Sequence, residues 1–266
     1  MPIDKAIRLA AVGDLHCRVG RHGHYRKLVD DVNAEGCDAL LLCGDLTDHG
    51  TIDEARALVD ELSRVRPPMI GVLGNHDHDS GKADEVTEIL KEGGIFILDG
   101  DHYELKGHAV GFAGTKGFAG GFDRASLQGF GEETIKAFVY ETVREALKLE
   151  AALLQVDAPV KVAITHYAPI RGTCEGENAE IMPFLGSSRL ADAIDTYAAT
   201  AAFHGHAHYG SGEGRTLGGI PVYNVASPVL RKADPERRVR IVELEAAEIA
   251  PDRSARKGEE AAPPSR

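Results

Sequence analysis

The sequence predicts an α/β fold, a four-layer α-β-β-α sandwich of two mixed sheets flanked by helices. Three observations predict it. Short apolar runs rich in β-branched residues recur along the chain and read as buried strands. In the first half, helix-period segments alternate with them, which calls for parallel strands with right-handed crossovers. In the second half the connections shorten, which suggests mixed or antiparallel pairing. The helices then have two faces to cover, so two stacked sheets lie between helical layers.

The expected strands are 7–12, 39–43, 69–73, 109–113, 160–165, 201–204, 221–225 and 239–244. The helical segments show one apolar face each. Tyr25, Leu28, Val29 and Val32 share one, and Ala55, Leu58, Val59 and Leu62 another. A longer helix is expected over 132–154, with Ile135, Phe138, Val139, Thr142, Ala146 and Leu153 turned inward. Three stretches do not read as framework. Residues 114–131 are glycine-rich with three Phe, a loop able to cover a site, with Phe118, Phe122 and Phe130 as its anchors. Residues 167–187 form a second long polar connection. Residues 246–266 lack apolar periodicity and read as a disordered tail behind a domain spanning 1–245.

Composition narrows the function classes. With 266 residues and 43% apolar side chains, the chain can bury a substantial core. Trp is absent, so the core rests on Val, Leu, Ile and Ala. The formal charge of −12 repels a phosphate backbone and disfavours a nuclease or other nucleic-acid partner. It does not disfavour a phosphorylated small molecule, because bound cations reverse the local field. The start, MPIDKAIRLAAVGDLH, carries no signal-peptide pattern, and no apolar run has the length of a membrane span. Cys17, Cys37, Cys43 and Cys174 form no CxxC pair, so reduced thiols of a cytoplasmic protein are expected.

Five clusters carry chemistry. In order they are Gly13-Asp14-Leu15-His16, Gly44-Asp45-Leu46-Thr47-Asp48, Gly74-Asn75-His76-Asp77, His166 after Ile164-Thr165, and Gly205-His206-Ala207-His208. Each follows a predicted strand, and strand ends are where ligand sites assemble in α/β sheets. Glycine before a cluster lets the backbone turn sharply out of the strand. Carboxylate, amide oxygen and imidazole suit Mn, Fe, Zn or Co, and the lack of clustered cysteine speaks against a structural zinc site. Asp14 and His16, one residue apart, can face the same ion, as can His206 and His208. His204 reads as a strand-end residue, and His22, His24, His49 and His78 as solvated loop residues.

The order DxH, GDxxD, GNHD, lone His, GHxH resembles the calcineurin-like metallophosphoesterase superfamily over about residues 7–245. The resemblance implies two divalent metal ions. Asp14, His16 and His208 would hold the first, Asn75, His166 and His206 the second, and Asp45 both. It implies that His76 assists the leaving group, with Asp77 orienting it, and that a metal-bound hydroxide attacks phosphorus. Two carboxylate charges against four metal charges leave the site net positive inside an acidic protein, which attracts a phosphate. Lys116, Arg171 and Arg18 are loop cations placed to contact substrate. The segment 44–77 is most like the small-molecule, cyclic-nucleotide-type phosphodiesterases. His49, where the protein phosphatases of the superfamily carry Arg, and Asp77, where they carry Glu, argue against that class. The expected activity is hydrolysis of a small phosphate ester, a phosphodiester first. The alternatives are a non-catalytic interaction scaffold, a protein phosphatase or a nuclease.

Overall fold

The structure is a computed structural model and describes residues 6–245. The expected tail, 246–266, lies outside the described residues. In chain order the strands are β1 (Ile7–Val12), β2 (Ala39–Cys43), β3 (Met69–Val72), β4 (Ile95–Ile97), β5 (Asp101–Glu104), β6 (Val110–Gly114), β7 (Val160–Ile164), β8 (Ala201–His204), β9 (Glu213–Arg215), β10 (Pro221–Asn224) and β11 (Arg240–Leu244). The helices are α1 (Arg26–Ala34), α2 (Ile52–Leu62), α3 (Ala83–Glu92), α4 (Glu133–Gln155), α5 (Ser188–Thr196) and α6 (Ser227–Ala233).

One sheet has the order β11-β1-β2-β3-β4 and the other β5-β6-β7-β8-β10-β9. Both are mixed, as expected. The second differs from expectation in one respect. Its centre, β6-β7-β8-β10, is parallel, and only the edge strands β5 and β9 pair antiparallel. The reason is that α4 and α5 are true crossovers between β6, β7 and β8.

Alternation of side chains along each strand builds three apolar layers. Ile7, Leu9 and Ala11 of β1 and Leu41 of β2 face Phe112, Val162 and Phe203 across the gap between the sheets. Ala10, Val12, Leu40 and Leu42 face the other way, against Leu28, Val32, Leu58 and Val86 of α1, α2 and α3. Ala163 and Ala202 turn to Leu149, Leu153, Leu190 and Ile194 of α4 and α5. This gives the four layers. Of the residues expected to face inward on α4, Val139, Thr142, Ala146 and Leu153 are buried, whereas Ile135 is exposed. Ile135 belongs to the start of α4, where residues 133–137 are all exposed.

β5 and β9 escape sequence pattern because edge strands need little apolar character, and β4, Ile-Phe-Ile, because three residues are too short to show a period. β5 reads Asp-His-Tyr-Glu and β9 Glu-Gly-Arg, the polar edges that discourage pairing with another chain. α2 starts where a capping box closes it. Thr51 Oγ1 accepts from Glu54 N–H, and Glu54 Oε2 accepts from Thr51 N–H and from His49 N–H.

Phe112 is fully buried between the sheets. Phe112→Ala should lower stability by about 3–5 kcal/mol, read as a shift in the denaturation midpoint at unchanged m-value.

Candidate metal centre

The carboxyl ends of β1, β2 and β3 from one sheet and of β7 and β8 from the other meet along one edge. The seam is closed by backbone and side chain together. Gly13 N–H donates to Val225 O at 2.9 Å, and Asp14 N–H to Gly44 O at 2.9 Å. His166 Nδ1 lies 3.0 Å from Cys43 O, a contact that only a protonated Nδ1 can make favourable.

The backbone there is strained. Asp14, His16, Asp45 and His206 have φ of 56°, 48°, 48° and 68°, the left-handed region that non-glycine residues seldom occupy. Such outliers persist where the surroundings over-determine them, and they gather at functional sites. The glycines before the clusters serve a purpose other than the one expected for three of the four. Only Gly44 has positive φ among Gly13, Gly44, Gly74 and Gly205. A Cβ at Gly74 would lie 2.1 Å from Asp45 Oδ1, and one at Gly205 2.3 Å from Asp14 Oδ2. These glycines let the carboxylate of one cluster press against the backbone of another.

Two adjoining groups of side chains result. Asp14, His16 and His208 converge within 4.8 Å, as do Asp45, His166 and His206. Asn75 joins the second group, its Oδ1 being 2.9 Å from His166 Nε2. Asp45 also falls within 4.8 Å of His16 and His76, so it stands between the groups. His206 and His208 therefore divide between the two groups rather than sharing one, because the φ of 68° at His206 turns the chain between them.

The donor set fits cations. With Nδ1–H of His166 donating to Cys43 O, Nε2 is the ring nitrogen turned to the group. It lies 2.9 Å from Asn75 Oδ1 and 3.4 Å from Asp45 Oδ1. An imidazole nitrogen, an amide oxygen and a carboxylate oxygen brought this close form a set of ligand atoms for one cation. His206 repeats the arrangement, because Nε2 donates to Phe184 O at 3.2 Å and leaves Nδ1 bare. Burial lowers the His206 pKa to about 4 and keeps the ring neutral, the form that ligates. His16 is lowered by burial as well. His208 is raised, chiefly by its 2.7 Å bond to Asp14 Oδ1. Burial pushes the Asp14 carboxyl up, and the bond to His208 with the charges of His166, His208 and His206 more than reverses it.

His204, the last residue of β8, is fully buried with Nε2 2.8 Å from Thr173 Oγ1. It belongs to the framework, as expected. Cys17, beside His16, is buried and its thiol is pushed up to about 11, so it stays protonated.

Asp77 corrects the sequence expectation. Its carboxylate does not hold His76. Oδ1 accepts from Thr47 N–H (2.8 Å) and Thr47 Oγ1–H (2.6 Å), and Oδ2 from Leu46 N–H (3.1 Å) and Gly74 N–H (2.8 Å). Asp77 is a buried staple between two clusters. The partner of His76 Nδ1 is the backbone carbonyl of Asp48, at 2.7 Å. Burial lowers the pKa of His76, but the Asp48 carbonyl and the Asp45 charge raise it by more. Asp48 itself went unrecognised by sequence reasoning; its place at the end of GDxxD was the available signal.

The three loop cations differ. Lys116 is half-buried beside the site. Its carbonyl accepts from His166 N–H, and its ammonium sits over the rings of Phe118 and Tyr167 at 5.1 and 5.3 Å. Arg18 is exposed with Nε 2.7 Å from Asp48 Oδ2. Arg171 is not brought to the site. It lines a separate hollow with Asp192, Asp195 and Arg215, because the turn that carries it packs against β9 and β10. Of the three loop phenylalanines, Phe122 is buried as an anchor, Phe118 is half-buried, and Phe130 is 74% exposed and anchors nothing.

Burial pushes the Asp77 carboxyl up to about 6, against the pull of its four donors, so it is ionised at neutral pH. Asp77→Asn turns an amide group toward donors that need an acceptor. It should destabilise the metal-free protein by about 2–3 kcal/mol in denaturant titrations at neutral pH. His76→Ala, at a half-exposed position, should move it by less than about 1 kcal/mol.

Known proteins resemble the chain in sequence and in fold. Over 227 residues the chain is 28% identical to a "Probable cyclic nucleotide phosphodiesterase" of Rhodococcus erythropolis, covering 82% of this chain and 67% of that one. A protein of the same description from Ruthia magnifica is 36% identical over 62 residues, 23% of this chain and 26% of that one. The crystal structure of phosphopantetheinyl hydrolase from Mycobacterium tuberculosis superimposes with a TM-score of 0.62 at 20% identity, covering 89% of this chain and 96% of that one. At that identity the likeness is one of fold. The sequence model of the calcineurin-like phosphoesterases matches residues 7–210, from β1 through the last histidine of the site, and the chain is an enzyme belonging to the calcineurin-like phosphoesterase family.

Proposed function

We propose that the domain over residues 1–245 is a dinuclear metal-dependent hydrolase that cleaves a small phosphodiester. One observation carries the reading. His166 Nε2, Asn75 Oδ1 and Asp45 Oδ1 converge across 2.9–3.4 Å, the ligand atoms that one divalent ion takes. Asp14, His16 and His208 would hold one divalent ion, Asn75, His166 and His206 another, and Asp45 both. Oxygen and imidazole donors without thiolate suit Mn, Fe, Zn or Co. When bound, such ions supply charge that neutralises phosphoryl oxygens and acidify a water.

The chain's own residues do the rest. His76 is held by its Nδ1–H on the Asp48 carbonyl, which turns Nε2 toward the Asp45 carboxylate, 4.0 Å from its Oδ2. It is the candidate proton donor to the leaving oxygen. Asp77 keeps the Asp45 loop and the Asn75 turn in register. Lys116 and Arg18 are the cations available to substrate oxygens. The diester preference draws on the description of the two curated relatives as cyclic nucleotide phosphodiesterases. Among the described residues no helix is long and apolar enough to cross a membrane.

Elemental analysis of Mn-loaded protein should give two ions per chain. Asp45→Ala and Asn75→Ala should each lose metal and hydrolysis of bis(p-nitrophenyl) phosphate. Full metal content with full activity in either variant would overturn the assignment. His76→Ala should keep both ions while kcat falls ~10²–10⁴-fold, most for poorly acidic leaving groups.

A further inference from the structure

Beside the metal ligands, one buried carboxylate anchors a fan of outward-facing donors. Asp48 is 6% exposed and sits behind His16 and His76. Its Oδ2 is 2.7 Å from Arg18 Nε and 2.9 Å from His49 Nδ1. Its carbonyl holds His76 Nδ1, and the rings of His16 and His76 lie 4.5 Å apart. Arg18 is thus ion-paired through its inner nitrogen, and neither terminal nitrogen has a partner among the described residues. His49 is fixed the same way. Nδ1 lies against Asp48 and, at 3.4 Å, Glu54, while Nε2 faces out of a side chain that is 61% exposed. Glu54 is in turn locked by the capping box of α2.

Asp48, His49 and Glu54 are close enough to hold an ion. Two facts argue against it. The Arg18 guanidinium already occupies the Asp48 oxygen an ion would need, and Glu54 Oε2 is taken by the N–H groups of His49 and Thr51. A cation would lie beside a permanent positive charge. The cluster instead presents the Arg18 guanidinium. A solvated cation usually loses much entropy on binding an anion; here a buried carboxylate has already ordered it.

We propose that Arg18 and His49 form an anion clamp on the leaving-group side of the site. They would take a second anionic group, a phosphate or phosphonate borne by the alcohol that departs past His76. The proposal rests on the phosphodiesterase reading and narrows its substrate class to diesters with a phosphorylated leaving group. Terminal Arg nitrogens match phosphate oxygens in a two-pronged contact, and the exposed His49 ring, held on the same carboxylate, lines the clamp beside them. In a chain of net charge −12, such a local cationic patch also selects where an anion approaches.

Two methyl aryl phosphodiesters test this, with leaving phenols that bear a para-phosphonomethyl or a para-ethyl group and are of similar acidity. Mn-loaded wild type should prefer the phosphonate in kcat/KM by about tenfold or more, mainly through KM. Arg18→Gln and His49→Gln should each erode that preference several-fold, and the double variant should abolish it. Added salt should reduce it in wild type. No preference in wild type, or equal losses on both substrates in the variants, would overturn the clamp. If wild type hydrolyses neither diester, the activity reading is what fails. Calorimetric binding of 4-(phosphonomethyl)phenol then decides the clamp, which stands if Arg18→Gln and His49→Gln weaken that binding several-fold and falls if they leave it unchanged.

Discussion

The bond from His166 Nδ1 to the Cys43 carbonyl holds the two sheets at the edge where the site forms. It crosses from the end of one sheet to the end of the other, between residues far apart in sequence. By taking the Nδ1 proton it also decides which ring nitrogen is left bare. Structure and chemistry are therefore set by the same contact. Without it the lone pair of Nε2 would have no fixed direction, and the grouping around Asp45 would lose a member.

The strain at Asp14, His16, Asp45 and His206 follows from the same crowding. Strands from two sheets deliver short, polar side chains to one line, and the clusters pack so tightly that glycine backbone is the only surface thin enough to lie between them. A cost of order 1–3 kcal/mol for each left-handed residue is offset by the layered core beneath. Asp77 contributes from below, gathering three backbone N–H groups and a hydroxyl that would otherwise be buried without partners.

Asp48 organises the solvent side of the site as Asp77 organises the buried side. One residue uses its carbonyl for His76 and its carboxylate for Arg18 and His49. Burial pushes its carboxyl pKa up, but these cations, Arg18 foremost, bring it below the ordinary value, so the anchor stays charged. The outer donors are then ordered by an inner charge rather than by one another.

The sequence by itself determined the long central strands, because their periodic apolar residues have to be buried wherever the chain folds. It also marked Asp14, His16, Asp45, Asn75, His166, His206 and His208 as residues that would gather, because strand ends in an α/β fold share an edge. Edge strands such as β5 and β9 were illegible, since a strand paired on one side needs no apolar pattern. Only the tertiary structure decided that Asp77 bonds Thr47 rather than His76, that Arg171 lies away from the site, and that Arg18 and His49 share one carboxylate. Those choices depend on distances of about 3 Å between side chains from separate loops, and residue spacing along a chain carries no information at that range.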